Sequence, residues 1–166
     1  MSQPADKKRT IYFARDIHQM NLVLGKFLQK SGAETVLLVD EAGHLVARQG
    51  DQSPASEDTI TALVAGTYAA SQAMASMLGA EEFSSLIPRG GGGHLLLLRV
   101  GGDALLAVAF SDDTSSNLVR TYALEAIRRL DALLGRAGTT GREAGEHIQG
   151  GRFDNEIDGA LTDVFG

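Results

Sequence analysis

Apolar and polar residues change their spacing several times along this chain, and each change marks an element. The longest regular stretch runs from Ser56 to Gly79 (SEDTITALVAGTYAASQAMASMLG), which predicts a helix of about six turns. Ile60, Leu63, Val64, Thr67, Met74 and Leu78 recur at spacings of three, four and seven, a bulky face suited to covering a sheet. Offset from it run Ala62, Ala65, Gly66, Ala69, Ala70 and Ala73, a face with almost no side chain. Ser56 is placed to cap the start, Glu57 and Asp58 put negative charge in the first turn, and Gly79 stands where a left-handed cap is expected. Two readings stay open. The helix is either an Ala-rich core element, or it packs on its own domain with one face and on another protein with the other.

Before this helix, Ile11 to Lys30 carries a helical stripe of Ile17, Met20, Leu24, Phe27 and Leu28, closed by Ser31-Gly32. Thr35 to Asp40 (TVLLVD) and His44 to Arg48 (HLVAR) read as strands joined by Glu41-Ala42-Gly43. After it, Leu86-Ile87 fits a short strand that Pro88 confines to a sheet edge or to its own end. HLLLLRV (from His94) and DALLAVAFS (from Asp103) are strands apolar on both faces, so both faces of the sheet should be covered. Leu118 to Leu134 is the third long helix, with Leu118, Tyr122, Ile127, Leu130 and Leu134 inward and Arg120, Arg128 and Arg129 outward.

Beyond it the period is lost. Residues 136–151 are Gly-rich and polar, as a flexible linker would be. In the ending FDNEIDGALTDVFG, Phe153, Ile157, Leu161 and Val164 share one side of a short helix whose remainder is acidic. Such a helix is marginal alone in water. It either folds back on its domain, stands solvated, or folds on meeting a groove. The expected organisation is therefore a disordered N-terminus (1–9), a domain (10–135), a linker (136–151) and a short acidic amphipathic helix (152–166). The fold class is α+β, with a five-stranded, mostly antiparallel sheet between helices in the order α-β-β-α-β-β-β-α.

Composition narrows the function. The 166 residues carry 43% hydrophobic and 22% charged side chains, an ordinary single globular domain. A net charge of −6 disfavours nucleic-acid and anionic-membrane partners. With no cysteine, disulfides, thiolate nucleophiles and Cys-based metal sites are excluded. No apolar run approaches the length of a bilayer span, and the basic start MSQPADKKRT lacks the apolar stretch of a signal peptide. A cytoplasmic protein is expected.

No catalytic constellation emerges. His18, His44, His94 and His147 have no i, i+4 pairing. Ser84, Ser85, Ser111 and Ser115 lack a G-x-S-x-G setting. The Gly90–Gly93 run is followed by a strand rather than by G-K-[ST] and a helix, so it is not a phosphate-binding loop. Arg48, Arg89, Arg99 and Arg120 lie near loops or strand ends, where an arginine finger would stand. Their spacing singles out none.

The element order resembles the Roadblock (dynein light-chain type) domain family. LLVDEAGHLVARQG is similar to that family's first hairpin, and LVAGTYAASQAMASMLG to the central helix of its bacterial MglB-type members. LLAVAFSDDTSSNLVR resembles their last strand running into the final helix, and EIDGALTDVFG the C-terminal helix that some carry beyond a linker. The likeness covers residues 11–135 and the tail; the Gly90–Gly93 run departs from it. It implies a homodimer with central helices side by side and edge strands paired across the two-fold. It implies a small Ras-like GTPase of the MglA type as partner, seated over the paired helices on Ala62, Ala65, Gly66, Ala69, Ala70 and Ala73. Hydrolysis would be promoted without a catalytic group from this chain, and GTP and Mg would belong to the partner. The tail, anchored by Phe153, Ile157, Leu161 and Phe165, would dock elsewhere on the GTPase and assist nucleotide exchange. Bacterial cell polarity and motility are the processes it suggests. Two rivals remain: a dimerising adaptor with no effect on GTP turnover, and a small-ligand sensor, which needs a concave pocket with convergent polar groups.

Overall fold

The computed structural model describes residues 14–52, 56–80, 85–102 and 104–149. Its elements are α1 (Ala14–Ser31), β1 (Thr35–Asp40), β2 (Leu45–Gly50), α2 (Glu57–Met77), β3 (Ser85–Pro88), β4 (His94–Val100), β5 (Ala104–Phe110) and α3 (Ser116–Gln149). The strands form one sheet in the order β2-β1-β5-β4-β3, and every pairing is antiparallel. The fold is α+β, in the element order the sequence predicts. The expected N-terminus (1–9) and acidic tail (152–166) lie outside the described residues.

Alternation along the strands divides the apolar residues between two layers. On one face Val36, Leu38, Leu96, Leu98, Leu106, Val108 and Phe110 meet Met20, Leu24 and Phe27 of α1 and Val119, Ala123, Ala126, Leu130 and Leu133 of α3. On the other, a smaller cluster of Val39, Leu97, Leu105 and Ala107 is covered by Val64 of α2, with Ile60 and Tyr68 packed against it. α2 lies over β1 and β2. β5 is central, and six of its seven residues are buried, which is why it reads as apolar on both faces.

Three expectations need correcting. Leu63, Met74 and Leu78 of α2 do not cover the sheet; all three are exposed. The buried residues are Thr61, Val64, Ser71 and Ala75. The hydroxyls of Thr61 and Ser71 are satisfied by carbonyls one turn earlier, Glu57 and Thr67, each at 3.0 Å, so small polar side chains can lie against the sheet without a lost hydrogen bond. In α3, Leu118 is exposed, while Tyr122, Ile127 and Leu134 pack at the margin of the core. The inward stripe runs instead through Val119, Ala123, Ala126, Leu130 and Leu133. α3 also continues to Gln149, so most of the stretch expected as a linker is helical. Its glycines lower helix propensity by about 1 kcal/mol each, but no proline interrupts it.

Candidate functional site: the outer surface of α2 and the β3 edge

Local chemistry fixes both ends of α2. The Ser56 hydroxyl accepts from the Thr59 amide at 3.3 Å. Glu57 accepts from Arg48 of β2 at 2.6 Å, tying the first turn to the sheet. At the other end the Leu78 and Ala80 amides donate to the Met74 and Ala75 carbonyls at 3.1 and 2.9 Å. Gly79 takes the left-handed conformation with φ 75°, as its position predicts.

With Thr61, Val64, Ser71 and Ala75 turned to the sheet, 3.6 residues per turn bring Ala62, Gly66, Ala69 and Ala73 to the opposite side. All four, with Ala70, are exposed, and Ala65 is half-buried. The strip is thus a smooth outer face of the domain. Beside it stand Leu63, Met74 and Met77, exposed to 65%, 55% and 87%, with Leu78 at 80%. Isolated exposed apolar residues are normal; three on one helix and a fourth at its C-cap, beside a strip of alanines and one glycine, form a surface suited to another protein. Spacing alone does not reveal this flank. Thr61, Val64, Tyr68, Ser71 and Ala75 also recur at three and four, and a stripe so mixed in polarity is outscored by the larger aliphatics next to it.

β3 forms one edge of the sheet. Its four residues pair with β4 on one side, Ile87 opposite Leu95 on the α2 face and Leu86 opposite Leu96 on the other. Pro88 ends it, as expected. The outward edge of such a strand is open to pairing with another chain.

Three of the arginines weighed as fingers are folded back on the domain. Arg48 binds Glu57 and the Asp51 carbonyl (2.7 Å). Arg89 binds Glu34 (3.2 Å) and the Phe110 carbonyl (2.9 Å). Arg99 donates to the Gly101 and Gly102 carbonyls (3.0 and 2.9 Å). The histidines are equally scattered: His44 lies 3.3 Å from Asp40 in the first hairpin, and His94 stacks on Phe110. Among the described residues no group of three or more His, Asp or Glu could hold a metal ion, and no helix is long and apolar enough to cross a membrane.

A concavity of about 300 Å³ lies between the start of α2 and the sheet, lined by Thr35, Leu37, Arg48, Gln52, Ser56, Glu57, Ile60 and Thr61. That is the lower end of ligand-pocket volumes. Its polar groups serve each other: Arg48 binds Glu57, Thr61 the Glu57 carbonyl, and Thr35 the Asp51 carbonyl at 3.0 Å. A sensor would instead point such groups at a ligand. The tail anchors Phe153, Ile157, Leu161 and Phe165 lie outside the described residues.

A model of the Roadblock/LC7 domain matches residues 20–110. Among solved structures, Myxococcus xanthus MglB superposes with a TM-score of 0.70 at 26% identity, covering 76% of this chain and 96% of that one. The gliding protein MglB from Thermus thermophilus gives 0.67 at 28%, covering 80% and 97%. A structure described as MglB with a tetrameric arrangement gives 0.70 at 27%, covering 82% and 99%. None of the curated proteins matches.

Proposed function

The chain belongs to the Roadblock/LC7 domain family, and from that premise we propose that it is a homodimeric regulator of a small Ras-like GTPase of the MglA type. It raises GTP hydrolysis by docking over the paired α2 helices and supplies no catalytic group of its own; GTP and Mg stay with the partner. The observation that carries this reading is the outward strip Ala62, Gly66, Ala69 and Ala73 with the exposed flank of Leu63, Met74 and Met77. Similarity to three MglB structures over most of their length supports it. So does the engagement of Arg48, Arg89 and Arg99 within their own domain, which agrees with activation by differential binding. Shifting a switch from 1:99 to 99:1 takes about 5.5 kcal/mol of preference for the hydrolysis-ready state, within reach of an apolar interface of about 1,600 Å².

The acidic tail provides a second contact that assists nucleotide exchange, with an effective concentration set by its tether. The setting is cytoplasmic and bacterial, in polarity or motility.

The test is GTP turnover by an MglA-type GTPase with wild-type protein and with Ala69→Arg/Ala73→Arg. Both positions are exposed, so the variant should keep its circular dichroism and Tm while losing partner binding and stimulation. Stimulation retained by the folded variant would show that the GTPase docks elsewhere. Binding without any stimulation by the wild type would leave the adaptor reading.

A further inference from the structure

On the sheet face away from α2, α1 and α3 lie side by side. Between them runs a shallow groove whose apolar lining is the partly exposed Val23 and Tyr122 beside the buried Phe27 and Ala126, rimmed by Lys26, Lys30 and Arg129. Glu125 lies between two of these cations, 3.3 Å from Lys30 and 3.6 Å from Arg129, and Lys30 also stands 5.9 Å over the Tyr122 ring. One carboxylate and three cations thus line the groove, in a chain whose net charge is −6. The enclosed volume is about 20 Å³, room for a water rather than a small molecule. An occupant has to lie along the groove and press side chains onto it.

The chain itself contains a segment of that chemistry. Residues 152–166 (RFDNEIDGALTDVFG) place Phe153, Ile157, Leu161 and Phe165 at intervals of four, with Asp154, Glu156, Asp158 and Asp163 between them. As a helix this is an apolar stripe bordered by carboxylates, the complement of an apolar floor bordered by cations. We propose that the α1/α3 groove is a docking site for residues 152–166 of a second copy of this chain.

Distance works against the same copy. α3 continues to Gln149, so its end stands about 30 Å beyond Arg129 and about 40 Å beyond Tyr122 at 1.5 Å per residue. A tail helix of that segment's length is only about 22 Å long. Folded back as a helix it comes no farther than the Arg129 end of the groove; stretched enough to reach Tyr122, it no longer sets residues four apart on one side. A tail from another molecule has no such limit. The contact is charge-assisted and at the surface, so it weakens with salt. It links one assembly to the next, and under the proposed function a docked tail is withheld from the GTPase.

The experiment uses a fluorescently labelled peptide of residues 150–166, titrated by anisotropy into the full-length protein with no GTPase present. Its failure is therefore separable from failure of the proposed function. The expected result is saturable binding that weakens at least tenfold in Lys26→Glu/Lys30→Glu/Arg129→Glu and at least tenfold from 50 to 300 mM salt. A peptide carrying Ile157→Ser and Leu161→Ser should lose binding. One with Asp154, Glu156, Asp158 and Asp163 replaced by lysine should bind the charge-reversed protein and not the wild type. The swap keeps the test decisive if charge reversal disturbs the fold, because that peptide must then fail on wild type alone. Absence of binding, or equal binding to wild type and to a folded charge-reversed variant, would overturn the proposal. Capture of phosphatidylserine vesicles through the same lysines by a protein that ignores the peptide would overturn it too.

Discussion

Gly43, at the turn between β1 and β2, lies against the backbone of Ala62 on α2: a Cβ at position 43 would stand 3.4 Å from the Ala62 Cα and 3.6 Å from the Ala65 Cβ. The hairpin turn therefore supports the start of the alanine strip from its sheet side. Gly43 also has φ 88°, where an L side chain is strained. Gly43→Ala should destabilise the protein by about 1–2 kcal/mol, seen as a lower Tm in thermal denaturation. An unchanged Tm would mean that the turn is free to move away from α2.

The same corner is tied by charge. Arg48 is only 16% exposed and meets a Glu57 that is 52% exposed at 2.6 Å. Half in water, the pair is worth roughly 0.5–1 kcal/mol. Glu57→Gln should lower stability by that amount in a denaturant melt, more at low salt than at high salt. It should free Arg48 to turn into the concavity beside it, so anion binding gained by the variant would be read as chloride-dependent stabilisation.

Gly66 gives a cleaner test of the docking surface. It lies in the middle of α2, with nothing within 4 Å of where its Cβ would be. Gly66→Ala should stabilise the isolated protein by about 0.5–1 kcal/mol through helix propensity. If another backbone comes close at this point, the added methyl should weaken partner binding while Tm rises. A rise in both would place the contact away from Gly66.

How far the sequence can be read depends on how much tertiary packing each element needs. β1 is legible to its ends because Thr35 to Asp40 is a simple apolar run between a Gly-containing turn on one side and a Gly on the other, and the structure gives the same bounds. The start of α2 is legible because an N-cap is a local matter, a serine hydroxyl and an amide three residues on. Which side of α2 faces the sheet is not. That choice rests on Thr61 and Ser71 satisfying themselves along the helix, which leaves large aliphatics such as Leu63 and Met77 outside. The six small residues of the strip follow from spacing, and five of them are exposed. Their exposure is structural fact; what covers them is the proposal. The far end of α3 escapes the sequence because local glycine content argues for a break, and continuation of a helix past its core-facing part has no periodic signature.

The exposed flank leads to a test of assembly. Leu63 and Met74 lie about three helical turns apart on one side of α2, 65% and 55% exposed, with the open β3 edge on the same domain. If two copies meet there, Leu63→Asp/Met74→Asp should reduce the sedimenting mass from dimer to monomer. Secondary structure should be unchanged, because neither side chain belongs to the core of one copy. A variant that stays dimeric would move the two-fold contact off this flank.

The tail and the α2 surface are assigned different work, and cutting the chain after Gly150 separates them. Every residue of the α2 strip and flank remains in the truncated protein, so stimulation of GTP hydrolysis should fall by no more than about twofold, a change of roughly 0.4 kcal/mol in barrier. Exchange should slow more, because the acidic segment is gone and no group on α2 replaces its contact. The measurement pairs release of a fluorescent nucleotide with phosphate production over the same range of protein concentration. Equal loss of both rates would place tail and helix in one interface. A gain in exchange with the truncated protein would show the tail to be a brake, held against the GTPase rather than working on it.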